Sequence, residues 1–80
     1  MYIDVLPLSD TTARLVRAYG EAPCIALPSA LPAPEGGSWA VTELGDYCFS
    51  ESPRNLPAPD AVCRYAVGED GSAVLTRAFG

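Results

Sequence analysis

Eighty residues make one small domain at most, and a domain of this size buries only about 60–65% of the surface its extended chain exposes. Ten acidic residues against five arginines give a net charge of −5. The arginines (Arg14, Arg17, Arg54, Arg64 and Arg77) are scattered along the chain, so no run of them can neutralise phosphates. Nucleic acid and anionic membrane surfaces are therefore not expected as partners, and the acidity serves solubility. Hydrophobic content of 49% points to a folded chain, while eight prolines and seven glycines forbid long helices. The composition describes a compact, loop-rich, mainly β domain.

In chain order, Tyr2 to Leu6 alternates around Asp4 and predicts a first strand ending at Pro7, with a turn at Ser9-Asp10. Thr11 to Tyr19 tolerates two periods. Asp10 could cap a helix closed by Gly20, or Ala13, Leu15, Arg17 and Tyr19 could alternate with Arg14, Val16 and Ala18 in a strand. An internal repeat decides between them. Asp10 to Gly20 aligns without a gap on Asp70 to Gly80, with Asp, Ala, Leu, Arg, Ala and Gly recurring and Tyr exchanged for Phe. The second copy follows a hairpin-type turn at Gly68-Glu69-Asp70-Gly71, so both copies are predicted as hairpin strands. The sixty-residue spacing is too long for one leucine-rich coil of about 20–29 residues, and it suggests a hairpin that occurs twice with a unit between.

Between the copies, Pro23 to Leu27 predicts a short strand, and the prolines of Leu27 to Pro34 block ladder bonds and force extended or turn backbone. Glu35 to Ser38 is a surface turn. The central unit runs from Trp39 to Ser50. Ala40 to Leu44 alternates as a strand, Gly45-Asp46 is expected to break it, and Asp46 can cap a helical turn carrying Tyr47, Cys48 and Phe49. A unit this short cannot bury its own apolar face without stacked neighbours. Leu56 to Pro59 forms a second Pro-rich connector. Ala61 to Val67 is again a strand, with Ala61, Cys63, Tyr65 and Val67 on one face and Val62, Arg64 and Ala66 on the other.

The stretch Val41-Thr-Glu-Leu-Gly-Asp-Tyr-Cys-Phe-Ser50 resembles the repeat of the bacterial BspA-like leucine-rich repeats, with Val41, Leu44, Gly45, Phe49 and Ser50 on patterned positions and Cys48 where Ala is usual. Upstream, Leu15, Tyr19, Gly20, Ile25, Leu27, Pro28 and Ser29 are similar to the segment that leads into a first repeat. The likeness covers about half the chain, Ala13 to Ser50, and departs from the pattern after Ser50, where Glu51 to Asn55 replaces a further repeat. It implies an N-terminal lead-in or capping segment of a longer repeat protein that binds protein, with adjacent repeats or another protein as partner and the cell surface as its place. The N-terminus, however, lacks the basic and apolar regions of a signal peptide, which places the chain as given in the cytoplasm. No run approaches the roughly 18 apolar residues of a membrane helix. The second copy of the repeat stops where the first continues, so the expectation is a piece of a longer protein.

Catalytic residue types are sparse. The absence of histidine removes Ser-His and Cys-His pairs and His-bearing zinc sites. Cys24, Cys48 and Cys63 have no C-x-x-C spacing; they read as small buried hydrophobes, with one disulfide and a spare thiol as the alternative. Glu43, Asp46 and Glu51 read as a solvated face, and Glu69-Asp70-Gly71 as a turn instead of a calcium loop. No enzyme, cofactor or metal is predicted. Among the aromatics, most are expected in the core, Phe49 first; Trp39 and Tyr47 read as core as well, and with Glu43 beside them they are the candidate protein-binding residues if a binding spot exists. The function predicted is a non-catalytic repeat-type module; the alternative is a stand-alone intracellular module acting through an edge strand or self-association.

Overall fold

The computed structural model describes residues 1–20, 28–49, 52–53 and 60–79, with the side chains of 46–49 outside the description. Every regular element among these residues is a strand. In chain order they are β1 (Tyr2–Pro7), β2 (Thr12–Gly20), β3 (Ala30–Pro32), β4 (Ser38–Phe49), β5 (Cys63–Val67) and β6 (Ala73–Ala78). They form one mixed sheet in the order β3-β4-β2-β1-β5-β6. All neighbours are antiparallel except β2 and β4, which are parallel. The sheet curls until its two terminal strands approach each other. The Tyr65 hydroxyl donates to the Pro32 carbonyl at 2.5 Å, tying β5 to the end of β3 across that seam. The fold is mainly β and nearly closed.

The predicted hairpins at either end of the chain are both present, and their pairing is the same. In the first, Asp4 faces Arg17 and Val5 faces Leu15, so the register steps over Val16. In the second, Arg64 faces Arg77 and Tyr65 faces Leu75, so the register steps over Thr76. Each residue and bulge of β5–β6 thus lies sixty positions after its counterpart in β1–β2. The turns agree as well: Leu8 N–H donates to Thr12 O at 3.0 Å, and Gly68 N–H to Ser72 O at 2.8 Å. Across the β1–β5 junction, Ile3 faces Tyr65 and Val5 faces Cys63, and these two pairs exchange under the same shift. Asp4 faces Arg64, and this pair maps onto itself. The strands are related as by a two-fold axis passing between Asp4 and Arg64.

The bulges also set which side chains are inside. Uninterrupted alternation from Ala13 and Leu15 would turn Arg17 and Tyr19 inward. The extra residue Val16 resets the phase, so Ala18 faces Ile3 in the interior while Arg17 and Tyr19 go to the outer face. Thr76 is the extra residue of β6, after which Ala78 stands opposite the buried Cys63 at the open end of the sheet, exposed where Ala18 is buried, and the Thr76 hydroxyl donates to the Arg64 carbonyl at 3.1 Å. Inside lie Ile3, Val5, Ala13, Leu15, Ala18, Leu31, Trp39, Cys63, Tyr65 and Val67, the single apolar cluster of the described residues. Cys63, Tyr65 and Val67, expected to share one face of their strand, are together in this interior.

Two expectations are corrected. The central unit has no corner at Gly45-Asp46 and no helical turn at Tyr47 to Phe49; β4 continues through all of them for twelve residues. Parallel ladder bonds to β2, with Arg17 opposite Asp46 and Gly20 opposite Phe49, outweigh the local turn preference. Gly45 serves a different purpose. A Cβ there would stand 2.7 Å from the Leu15 carbonyl oxygen and closer still to that of Val16, so the glycine lets β4 pass the β2 bulge. The second correction is that the Pro-rich run is not free of ladder bonding. Ala30–Pro32 forms a three-residue terminal strand against Ser38–Ala40, in keeping with proline's place on sheet edges. The strand predicted at Pro23 to Leu27 and the connector at Leu56 to Pro59 lie outside the described residues.

Candidate functional site

Two places on the molecule gather chemistry: a charged row on the outer face, and an opening at one end of the curled sheet. The row runs across four strands. Arg17, Asp4, Arg64 and Arg77 are successive partners on β2, β1, β5 and β6. At its centre Asp4 is fully buried and Arg64 nearly so. Arg64 Nε donates to Asp4 Oδ1 at 2.6 Å and Nη2 to Oδ2 at 3.1 Å, a forked pair. The Tyr19 hydroxyl donates to Oδ2 at 3.0 Å. The guanidinium lies 5.6 Å from the Tyr19 ring centroid and 5.2 Å from that of Phe79, and the Arg77 guanidinium lies 5.0 Å from the Phe79 centroid. Tyr19 and Phe79 are themselves counterparts in the internal repeat, so the two rings flank the axis.

The electrostatics follow from this packing. The hydrogen bond to Asp4 holds the Arg64 guanidinium above its ordinary range, and burial followed by the Asp4 charge raises the Tyr19 phenol. Asp4 is thereby committed to its donors. A carboxylate that accepts three hydrogen bonds under buried aromatic cover acts as a structural anchor for the sheet junction.

The opening is built by two bonded turns. In the β1–β2 turn, Ser9 Oγ accepts from Thr11 N–H at 3.2 Å and Thr12 N–H at 3.1 Å and shares a 2.7 Å bond with Thr12 Oγ1. In the β3–β4 turn, Ala33 N–H donates to Gly37 O and Gly36 N–H returns to Ala33 O, both at 3.1 Å. Gly36 and Gly37 adopt φ of 102° and 73°, which a side chain would strain. Between these turns and the β5–β6 hairpin lies a cavity of about 610 Å³. Pro7, Ala33, Pro34, Trp39, Cys63 and Ala78 supply its apolar wall, and Ser9, Asp10 and Glu35 its polar rim. Burial raises the Cys63 thiol, which keeps it protonated and poorly nucleophilic at neutral pH. Cys63 is free; Cys24 and the Cys48 side chain lie outside the described residues.

The structure does not assemble the residues predicted for protein binding at one spot. Trp39 belongs to the interior cluster, is 8% exposed, and lines the cavity. Glu43 faces outward on the far side of the sheet, 3.7 Å from Arg14 Nε, with both side chains about half exposed. Tyr47 stands opposite Ala18 on β4, and its side chain is outside the description. What sequence reasoning missed is the gathering of Arg14, Arg17, Arg64 and Arg77 on one face. A signal existed in the repeat, which equates Arg17 with Arg77 and Tyr19 with Phe79. Nothing local to Asp4 or Arg64 announces a pair sixty residues apart. Among the described residues no cluster of carboxylates and thiols suits a metal, and no helix is long and apolar enough to cross a membrane. Compared with known proteins, the chain matches no family model, no curated protein and no solved structure.

Proposed function

We propose that the chain is a non-catalytic protein-interaction module of leucine-rich-repeat type, related to the BspA-like proteins, that leads into or caps a longer array. The observation that supports this reading is Leu44. It occupies a patterned position of the repeat-like unit and stands opposite the fully buried Leu15, yet it is 60% exposed. An apolar side chain at a sheet position with a buried partner is what a stacked neighbouring unit covers. The polar groups inside the fold bind one another, with Asp4 held by Arg64 and Tyr19, and this use of charge fits a scaffold. Appending two repeats of the BspA-like pattern after Gly80 tests the reading. A higher melting temperature, lost again in Leu44→Lys, is expected; an unchanged melting temperature would overturn it.

A second reading, a stand-alone module that pairs through an edge strand or with itself, is favoured by a different residue. Val74 is 63% exposed on β6, a terminal strand of the sheet with no ladder partner beyond it among the described residues. Sedimentation velocity over a concentration series separates the two. Self-association abolished by Val74→Lys supports the second reading, and a strict monomer removes its self-association form.

A further inference from the structure

We propose that the cavity between the β1–β2 and β3–β4 turns is a binding site for a small organic cation, an ammonium carrying an aromatic or branched aliphatic group. The proposal is independent of the repeat-module reading. Volume comes first: about 610 Å³ lies within the range of small-molecule sites, at the mouth of a curled sheet where such sites recur. The wall is apolar, formed by Pro7, Pro34, Trp39, Cys63 and Ala78, and it would receive the hydrocarbon portion.

Charge decides the rest. Among the described residues that line the cavity, the charged ones are Asp10 and Glu35, both carboxylates and contributed by two different turns. The four described arginines pair across the outer face of the sheet, with Arg14 opposite Leu6 and Glu43, Arg17 opposite Asp4, and Arg64 opposite Arg77. Among the described residues the mouth therefore carries carboxylates and no guanidinium, a charge balance that favours a cation. Trp39 adds an aromatic wall, a surface that favours an ammonium over a carboxylate of the same shape. The turns are preset by their own backbone bonds, Ala33 to Gly37 and Leu8 to Thr12, so little ordering accompanies binding.

Trp39 is the chain's single tryptophan, which makes its fluorescence a direct reporter of occupancy. The probes are phenethylammonium, benzyltrimethylammonium, and phenylacetate as the anion of matching shape, titrated into the full chain. Saturable change is expected with both cations and none with phenylacetate over the same range. Asp10→Asn and Glu35→Gln, both in surface turns, should each weaken the cations about two- to fivefold, as for exposed charge pairs. Ala78→Phe, which leaves Trp39 the single tryptophan, should block them by filling the mouth. Amide shifts in a nitrogen–proton spectrum should move at Ala33, Glu35, Gly36, Val62 and Cys63. Equal binding of phenylacetate, unchanged affinity in the Asp10→Asn/Glu35→Gln double variant, or shifts confined to another surface would overturn the proposal, as would no saturable response.

Discussion

The two terminal hairpins are built to one plan and carry different duties. In β1–β2, Leu15 is fully buried and β2 has neighbours on both edges, whereas its counterpart Leu75 is only partly buried and β6 ends the sheet. Asp4 in the first hairpin is answered by Arg64 in the second, the same position carrying the opposite charge. Tyr19 has a hydroxyl that reaches Asp4; Phe79 at the matching place offers only its ring. The difference teaches how two similar strand pairs become one domain. A self-matched position on a two-fold axis would set like charge against like, and placing Asp on one side and Arg on the other turns the junction into a forked ion pair.

The largest effect should come from breaking that pair. Asp4→Ala strands a buried guanidinium and is expected to cost about 3–5 kcal/mol, enough to unfold a domain of this size, with urea denaturation as the measure. Because the positions are counterparts, the exchange Asp4→Arg with Arg64→Asp should be more stable than either single change; equal loss in the double variant would show that the axis is not a functional equivalence. Next comes the leucine comparison. Leu15→Ala should cost about 2–5 kcal/mol and Leu75→Ala less than half as much, and equal costs would mean that burial does not separate the hairpins. Gly45→Ala should follow at about 1–3 kcal/mol, since its methyl group meets the β2 backbone at the bulge.

A pH effect sharpens the comparison at the seam. Burial, reinforced by the neighbouring Cys63, pushes the Tyr65 phenol from 10.0 up to about 12. The folded state therefore favours the protonated phenol, and its stabilising contribution is complete below pH 10 and lost as pH rises from 10 through about 12. Tyrosinate absorbance followed against denaturation should show unfolding in that window, reduced in Tyr65→Phe. The smallest effect lies in the turns. Gly71 has φ of 84° while Thr11, its counterpart, has no positive φ, so Gly71→Ala should cost about 1 kcal/mol and Thr11→Gly a few tenths, by thermal melting.

Much of this architecture was legible in the residues. Alternation in Tyr2 to Leu6 and Ala61 to Val67 gave strands at the right places, because one apolar face on a period of two has few other uses. The gapless repeat identified two hairpin strands where local periodicity left helix open, since a shared pattern after a clear turn carries the turn's information to the other copy. Of the cavity residues, the sequence singles out only Trp39 as a candidate binding residue, and it does so for protein binding beside Glu43 and Tyr47. Its companions at the mouth, Asp10 and Glu35, sit in separate turns and meet only because the sheet curls.

By itself, then, the sequence determined the mainly β class, the two terminal hairpins with their turns, and the doubling, all of which rest on interactions within a few residues or on pattern repeated along the chain. Tertiary structure alone decided the phase of β2 and β6, the passage of β4 through Gly45-Asp46, the pairing of Asp4 with Arg64, and the arginine face. Each of these depends on a neighbour far away in the chain: a bulge is a mismatch between two strands, and a turn signal yields when a parallel partner offers eight residues of ladder. A charge pair sixty residues apart exists only once two hairpins have found their common axis.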